Sequence, residues 1–281
     1  MPRSQILVLT LVAMIAFAGN SLLCRVALKD TAIDAASFTS IRIVSGAIVL
    51  WLIVQLRSGG HRATGSWRSA LALFAYAAGF SFAYINLTAA TGALLLFGAV
   101  QTTMIGYGLW HGERLQKRQI VGLAFALTGL IGLLLPGLSA PPLLGSALML
   151  GAGIAWGIYS LRGKGAGDPI CATAGNFIRA VPFCAGLSLA MLSLASVDQA
   201  GLWLAVASGA LTSGIGYVIW YTALRGLTAT SAATVQLSVP VIAAIGGILF
   251  LDEAVTLRLL LASIAVLGGV ALVILAKPNK T

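Results

Sequence analysis

Apolar stretches of about twenty residues recur along almost the whole chain, and nothing else constrains its fold as much. A helix rises 1.5 Å per residue, so about 20 apolar residues cross roughly 30 Å of hydrocarbon. Ten segments meet that requirement: residues 4–28, 35–56, 67–87, 90–110, 119–135, 143–161, 170–194, 201–221, 229–251 and 257–276. Of 281 residues, 59% are hydrophobic and 9% charged, against about 25% charged in an ordinary soluble domain. Seven acids and 17 bases cannot clothe a water-soluble globule of this size. A soluble enzyme, a disordered chain and a nucleic-acid-binding domain are thereby excluded. The expected class is an all-α membrane protein with ten transmembrane helices. Its loops are too short for a folded soluble domain, so function has to sit within the helices.

The charge of the loops sets an orientation. Lys and Arg collect on the cytoplasmic side of membrane proteins. Arg3, Arg57, Arg62, Arg68, Arg114, Lys117, Arg118, Arg162, Lys164, Arg225, Lys277 and Lys280 fall on the N-terminal side of a ten-span chain, and only Arg25, Lys29 and Arg258 on the other. Both termini are therefore expected in the cytoplasm. The first segment has a leader-like look, with Arg3 ahead of it and Ala16-Phe17-Ala18 inside it. Its apolar run continues past that point, so it is read as a retained span.

The chain also repeats itself at an offset of about 140 residues. Ala90-Thr91-Gly92-Ala93 matches Ala229-Thr230-Ser231-Ala232, and Gly112-Glu113 matches Asp252-Glu253. Arg118 matches Arg258, Gly129 matches Gly269, and Phe17 and Ser21 match Trp156 and Ser160. Ile41-Arg42 matches Ile178-Arg179 after a small gap. Each half holds five spans, an odd number, so the second half starts on the opposite side of the membrane. Two inverted five-helix repeats are expected, residues 1–138 and 139–281. Such repeats give two conformations of similar energy, with a solute site near the midplane.

This unit of A-T-x-A, apolar run, G-E or D-E, basic residue and glycine-rich apolar run resembles the repeated domain of the drug/metabolite transporter superfamily, in its EamA-type ten-helix form. Within it the chain is most similar to the aromatic amino acid exporter branch, YddG. The resemblance implies a secondary transporter exporting small metabolites, above all amino acids, across the bacterial inner membrane. One departure is visible: Val239-Pro240-Val241 in the ninth segment faces Val100-Gln101-Thr102 in the fourth, which lacks the matching kink.

A path for a polar solute needs hydroxyls, amides and aromatic rings facing inward. Phe17, Asn20 and Ser21 cluster in the first segment, and Trp156, Tyr159 and Ser160 do so in the sixth. Tyr76, Phe80 and Tyr84 share one helix face at i, i+4 and i+8. Tyr217 lies in the eighth segment, Gln101 and Gln236 in the fourth and ninth, and Asn176 in the seventh. Trp67, Trp110 and Trp203 read instead as an interfacial belt, and Trp220 and Tyr221 stand between the two readings. Arg42 and Arg179, repeat mates inside their spans, have two roles open: attraction of a substrate carboxylate, or capping of a neighbour's carbonyls. Glu113 and Glu253 read as caps at the starts of the fifth and tenth helices.

No acid falls near the middle of a span, so carboxylate-based proton coupling within the membrane is not supported. No cysteine spacing, histidine pair or Walker loop points to a metal, cofactor or nucleotide. The expected partners are a small-molecule substrate and membrane lipid, with no nucleic acid, and the duplicated chain can be complete as a monomer. A membrane enzyme acting on lipid or isoprenoid substrates is the other class in view. It needs an acidic or histidine cluster at a membrane face, and the sequence has none.

Overall fold

The computed structural model describes residues 2–57, 62–111, 116–137, 140–163, 167–227 and 235–275. Among the described residues it is all helical: α1 (Arg3–Asp30), α2 (Ala35–Leu56), α3 (Trp67–Tyr84), α4 (Ala89–Trp110), α5 (Lys117–Leu134), α6 (Leu143–Gly163), α7 (Pro169–Ala190), α8 (Gln199–Leu224), α9 (Ser238–Leu251) and α10 (Leu257–Leu275). Helices are what hydrocarbon permits, because each backbone N–H and C=O must be satisfied within its own segment. Seven of them, α1, α2 and α4–α8, are long and apolar enough to cross a bilayer. The chain is a multi-pass membrane protein. Glu113, Arg114, His61, Lys164, Lys277, Lys280, the Ala229–Ala232 motif and the expected boundary at 138/139 lie outside the described residues.

Polar side chains mark where helices begin. Asp34 accepts from the Ala36 and Ser37 N–H groups at 2.9 and 3.0 Å and starts α2. Ser66 and Thr88 do the same for α3 and α4, each at 3.2 Å. α4 runs unbroken through Gln101, whereas α9 starts at Ser238, just ahead of Pro240.

The bundle is apolar outside and small or polar inside. Leu7, Leu52, Phe125, Leu249 and Phe250 are exposed, as are Trp67, Trp110 and Trp203. Ala, Gly and Ser fill the contacts, along with buried Asn20, Thr39, Arg42, Gln101 and Asn176. α1 packs on α8 and α9, α6 on α3 and α4, α2 on α7 and α8, α3 on α7, and α5 on α10. Without a hydrophobic drive between helices in lipid, close approach matters, and small residues allow it. At the α5–α10 crossing a Cβ on Gly269 would lie 2.6 Å from the Ala126 nitrogen. Gly269→Val is therefore expected to cost about 1–3 kcal/mol by overpacking and to lower the melting temperature in detergent. Gly132→Ala, with nothing within 4 Å of its added Cβ, should leave it unchanged.

One ion pair ties α2 to α7 at the end of the bundle that carries Arg3 and Lys117. Arg57 Nη1 lies 2.7 Å from Asp168, which also accepts from the Ile170 N–H at 2.9 Å. Burial pushes the Asp168 pKa up, but the Cys171 and Ile170 N–H groups and the Arg57 cation outweigh it and hold it below the ordinary value. A depressed carboxylate contributes stability above its unfolded pKa, about 3.9, and loses it as pH falls through the folded value. The tie should thus be intact at pH 5–7. Asp168→Asn is expected to lower the melting temperature equally at pH 7 and pH 5, and a loss confined to pH 7 would contradict this.

Candidate functional site

A cavity of about 400 Å³ opens between α1, α3, α4, α6 and α8. Its walls are aromatic. Trp156 of α6 stacks at ring-centroid distances of 4.8 Å from Tyr76 and 5.3 Å from Tyr217. Phe17 meets Tyr217 and Trp220 edge-on, both at 5.9 Å. Phe80, Ser21, Gln101 and Gln236 also line the space, together with apolar Leu96, Phe97 and Met104. Rings of five helices thus converge on one volume, with amides and hydroxyls set between them, an arrangement suited to an amphipathic solute.

Asn20 organises the polar wall. Its Oδ1 accepts from Ser208 Oγ at 2.7 Å and Thr212 Oγ1 at 3.2 Å, and its Nδ2 donates to the Tyr76 hydroxyl at 3.4 Å. Ser208 and Thr212 belong to a π-helical stretch of α8, Ser208–Ile215. Such segments are frequent at functional sites. Within it Gly209 lies against the Arg42 backbone, where a side chain would collide.

Arg42 sits behind this wall at 2% exposure. Its Nη2 donates to the Tyr76 hydroxyl at 3.0 Å and its Nε to Ser213 Oγ at 3.4 Å. Its Cζ lies 5.2 Å from the Tyr76 ring centre and 4.9 Å from that of Phe80. Its Nη1 is buried with no hydrogen-bond partner. Neither ion pair among the described residues involves it. A buried cation without a counter-charge costs several kcal/mol.

Nine of the fourteen residues expected to line a path meet here: Phe17, Asn20, Ser21, Tyr76, Phe80, Gln101, Trp156, Tyr217 and Gln236. Tyr84, Tyr159, Asn176, Arg42 and Arg179 do not line the cavity. Tyr84 shares the face of Phe80 but lies deeper, with its hydroxyl on the Ala89 carbonyl at 3.3 Å. Tyr159 is behind Trp156, at 5.3 Å between centroids. Asn176 accepts from the Ser66 N–H at 2.9 Å and so holds the start of α3. Arg179 donates to the Thr64 carbonyl at 2.7 Å and to that of Gly175 at 3.0 Å, contacts that fit the carbonyl-capping reading. Ser160, Thr212, Ser213, Trp220 and Tyr221 also line the space. Ser208, Thr212 and Ser213, polar and near one face of an apolar span, were the available signal for the α8 wall.

Among the described residues the cavity lining runs toward one end of the bundle. It extends to Gly163, Pro169, Leu224 and Leu227, at the basic end. Toward the other end the helices are tied together. Arg25 of α1 pairs with Glu253 at 3.2 Å and donates to the Tyr84 and Ile85 carbonyls, both at 2.9 Å. Glu253 also accepts from the Ala89 N–H at 2.8 Å, so it caps α4 and not the helix that follows it. Lys29 donates to the Leu251 carbonyl at 3.2 Å. α1, the α3–α4 turn and the α9–α10 turn are thereby joined. Among the described residues no group of His, Cys, Asp and Glu is placed to hold a metal ion.

Comparison with known proteins places this geometry in context. The EamA-like transporter family pattern matches residues 143–275. An uncharacterized protein of Pseudomonas aeruginosa is 57% identical over 98% of this chain and 96% of its own. An uncharacterized transporter of Archaeoglobus fulgidus is 26% identical over 96% of this chain and 97% of its own. The threonine/homoserine exporter RhtA of Salmonella typhimurium is 31% identical over 54% of each chain. One crystal structure superposes over the whole of both chains with a TM-score of 0.68 at 16% identity, a likeness of fold alone.

Proposed function

The chain belongs to the EamA-like transporter family, and we propose that it exports small metabolites, amino acids with aromatic or apolar side chains foremost, by alternating access. The observation that carries this reading is a cavity walled by aromatic rings and amides, reaching one end of the bundle and tied shut at the other. RhtA, named for threonine and homoserine export, supports amino acids as the class. None of the relatives described above is named as an aromatic amino acid exporter, so the aromatic preference rests on the cavity walls. A lipid- or isoprenoid-modifying enzyme is not favoured, because among the described residues the cavity is lined by no carboxylate or histidine.

In this reading residues 1–138 and 139–281 are inverted repeats. The packing supports it, since exchanging α1–α5 with α6–α10 turns the α1–α8 contact into α6–α3, α1–α9 into α6–α4 and α2–α8 into α7–α3, all of which occur. The excess of Lys and Arg at the open end makes that end cytoplasmic, with both termini there and the bundle in the bacterial inner membrane. The Arg25–Glu253 assembly then closes the outer side. The unit works as a single chain.

Three measurements test this. Reconstituted in liposomes, the protein should move phenylalanine or leucine in a saturable manner, and no flux above protein-free vesicles for any amino acid or metabolite ends the proposal. Trp156→Ala should weaken aromatic solutes about 3–10-fold, the worth of an aromatic contact, and Gln101→Ala should alter preference among polar side chains, with both proteins folded. Glu253→Gln should loosen the outer closure by about tenfold in population, from a loss of roughly 1.5 kcal/mol, the lower end for a hydrogen bond to a charged group. Spin labels at Asp30 and Ile85 would then show a longer-distance population, and an unchanged distribution would remove Arg25–Glu253 from the gate.

A further inference from the structure

The cavity has walls but, among its lining residues, no formal charge. One charge stands directly behind it. Arg42 lies behind the cavity-lining rings of Tyr76 and Phe80, and among the described residues its hydrogen bonds to the wall go to the Tyr76 and Ser213 hydroxyl oxygens, which accept from its guanidinium. The Tyr76 oxygen takes a second, from Asn20 Nδ2 at 3.4 Å. Neither hydroxyl has an acceptor for its own hydrogen among the described residues. Each is therefore left as a donor, and the cation behind strengthens that donation. A corner with two spare O–H donors, backed by a guanidinium whose Nη1 has no partner, matches an acceptor-only anion. An ammonium group has nothing to pair with there and faces a like charge.

We infer that this corner recognises a carboxylate, with Tyr76 and Ser213 as its contacts and Arg42 as the positioning residue that charges them. The inference rests on the transport reading above and narrows it: the carboxylate, and not the amine, is the group the transporter requires. A bound monocarboxylate gives Arg42 the counter-charge that no described side chain supplies. The repeat mate Arg179 has no such part, because carbonyl groups occupy it.

The test compares phenylalanine, 3-phenylpropionate and phenethylamine, three probes with the same ring and different head groups. Binding is followed with purified protein by calorimetry, and flux by competition in proteoliposomes. 3-Phenylpropionate should bind at least as tightly as phenylalanine, and phenethylamine at least about tenfold more weakly, the worth of a charge-assisted hydrogen bond. Arg42→Lys should keep the acid-over-amine ratio and Arg42→Gln should flatten it. Tyr76→Phe and Ser213→Ala, which remove one hydroxyl each and preserve shape, should each weaken the acid several-fold and leave the amine unchanged. Arg179→Gln is the control and should not move the ratio. Phenethylamine binding on a par with the acid, or an unchanged ratio in folded Arg42→Gln, Tyr76→Phe and Ser213→Ala proteins, overturns the carboxylate assignment and leaves the transport reading standing. Neither probe nor phenylalanine binding or crossing overturns the reading of the cavity itself, and the carboxylate assignment with it.

Discussion

In hydrocarbon a polar side chain has only the protein interior to turn to, and that single constraint arranges this molecule. Leu7, Leu52, Phe125, Phe250 and Trp110 face outward, while Asn20, Gln101, Asn176, buried hydroxyls and one uncompensated guanidinium are gathered inside. Among them is a space, walled by aromatic rings of five helices. Close crossings elsewhere, such as Gly122 against Gly269, hold the frame while the centre stays open. The site is thus a consequence of where lipid forbids polarity.

The two halves of the chain use the same residue type to different ends. In the proposed repeat Arg42 and Arg179 are mates, yet Arg179 holds the Thr64 carbonyl and Arg42 is buried with Nη1 unpaired. The difference lies in the neighbours. Arg179 has an extended loop carbonyl within reach, whereas Arg42 meets the π-helical turn of α8, where Gly209 lies against its backbone and Ser213 faces its Nε. On the proposed reading, a duplicated frame with an unequal centre rocks as a unit and binds its solute on one side of the axis.

Most spans were legible because the arithmetic of 20 apolar residues is strict, and most ends moved by only a few residues: residues 201–221 became Gln199–Leu224, whereas the helix of the ninth segment begins at Ser238 and not at 229, with residues 228–234 outside the described residues. Much of the cavity wall was legible too, since Phe17, Tyr76, Trp156 and Gln101 interrupt otherwise aliphatic or small runs. Depth was not. Tyr84 shares a helix face with Tyr76 and Phe80, but periodicity fixes a direction around the axis and says nothing of what closes over it. Long-range partners were equally hidden. Glu253 caps α4, 164 positions away in sequence, where helix-dipole reasoning alone assigns it to its own neighbour. The π turn of α8 has no spacing signature that separates it from an ordinary helix.

One labelling experiment bears on the whole account. With Cys24, Cys171 and Cys184 replaced by Ala, a single cysteine at Ser160 lies in the cavity wall. A membrane-impermeant thiol reagent applied in turn to each side of oriented vesicles should reach it from both, and transported solute should slow both reactions. Reaction from one side only, at a rate indifferent to solute, would mean a dead-end pocket and contradict a central chamber shown alternately to the two compartments.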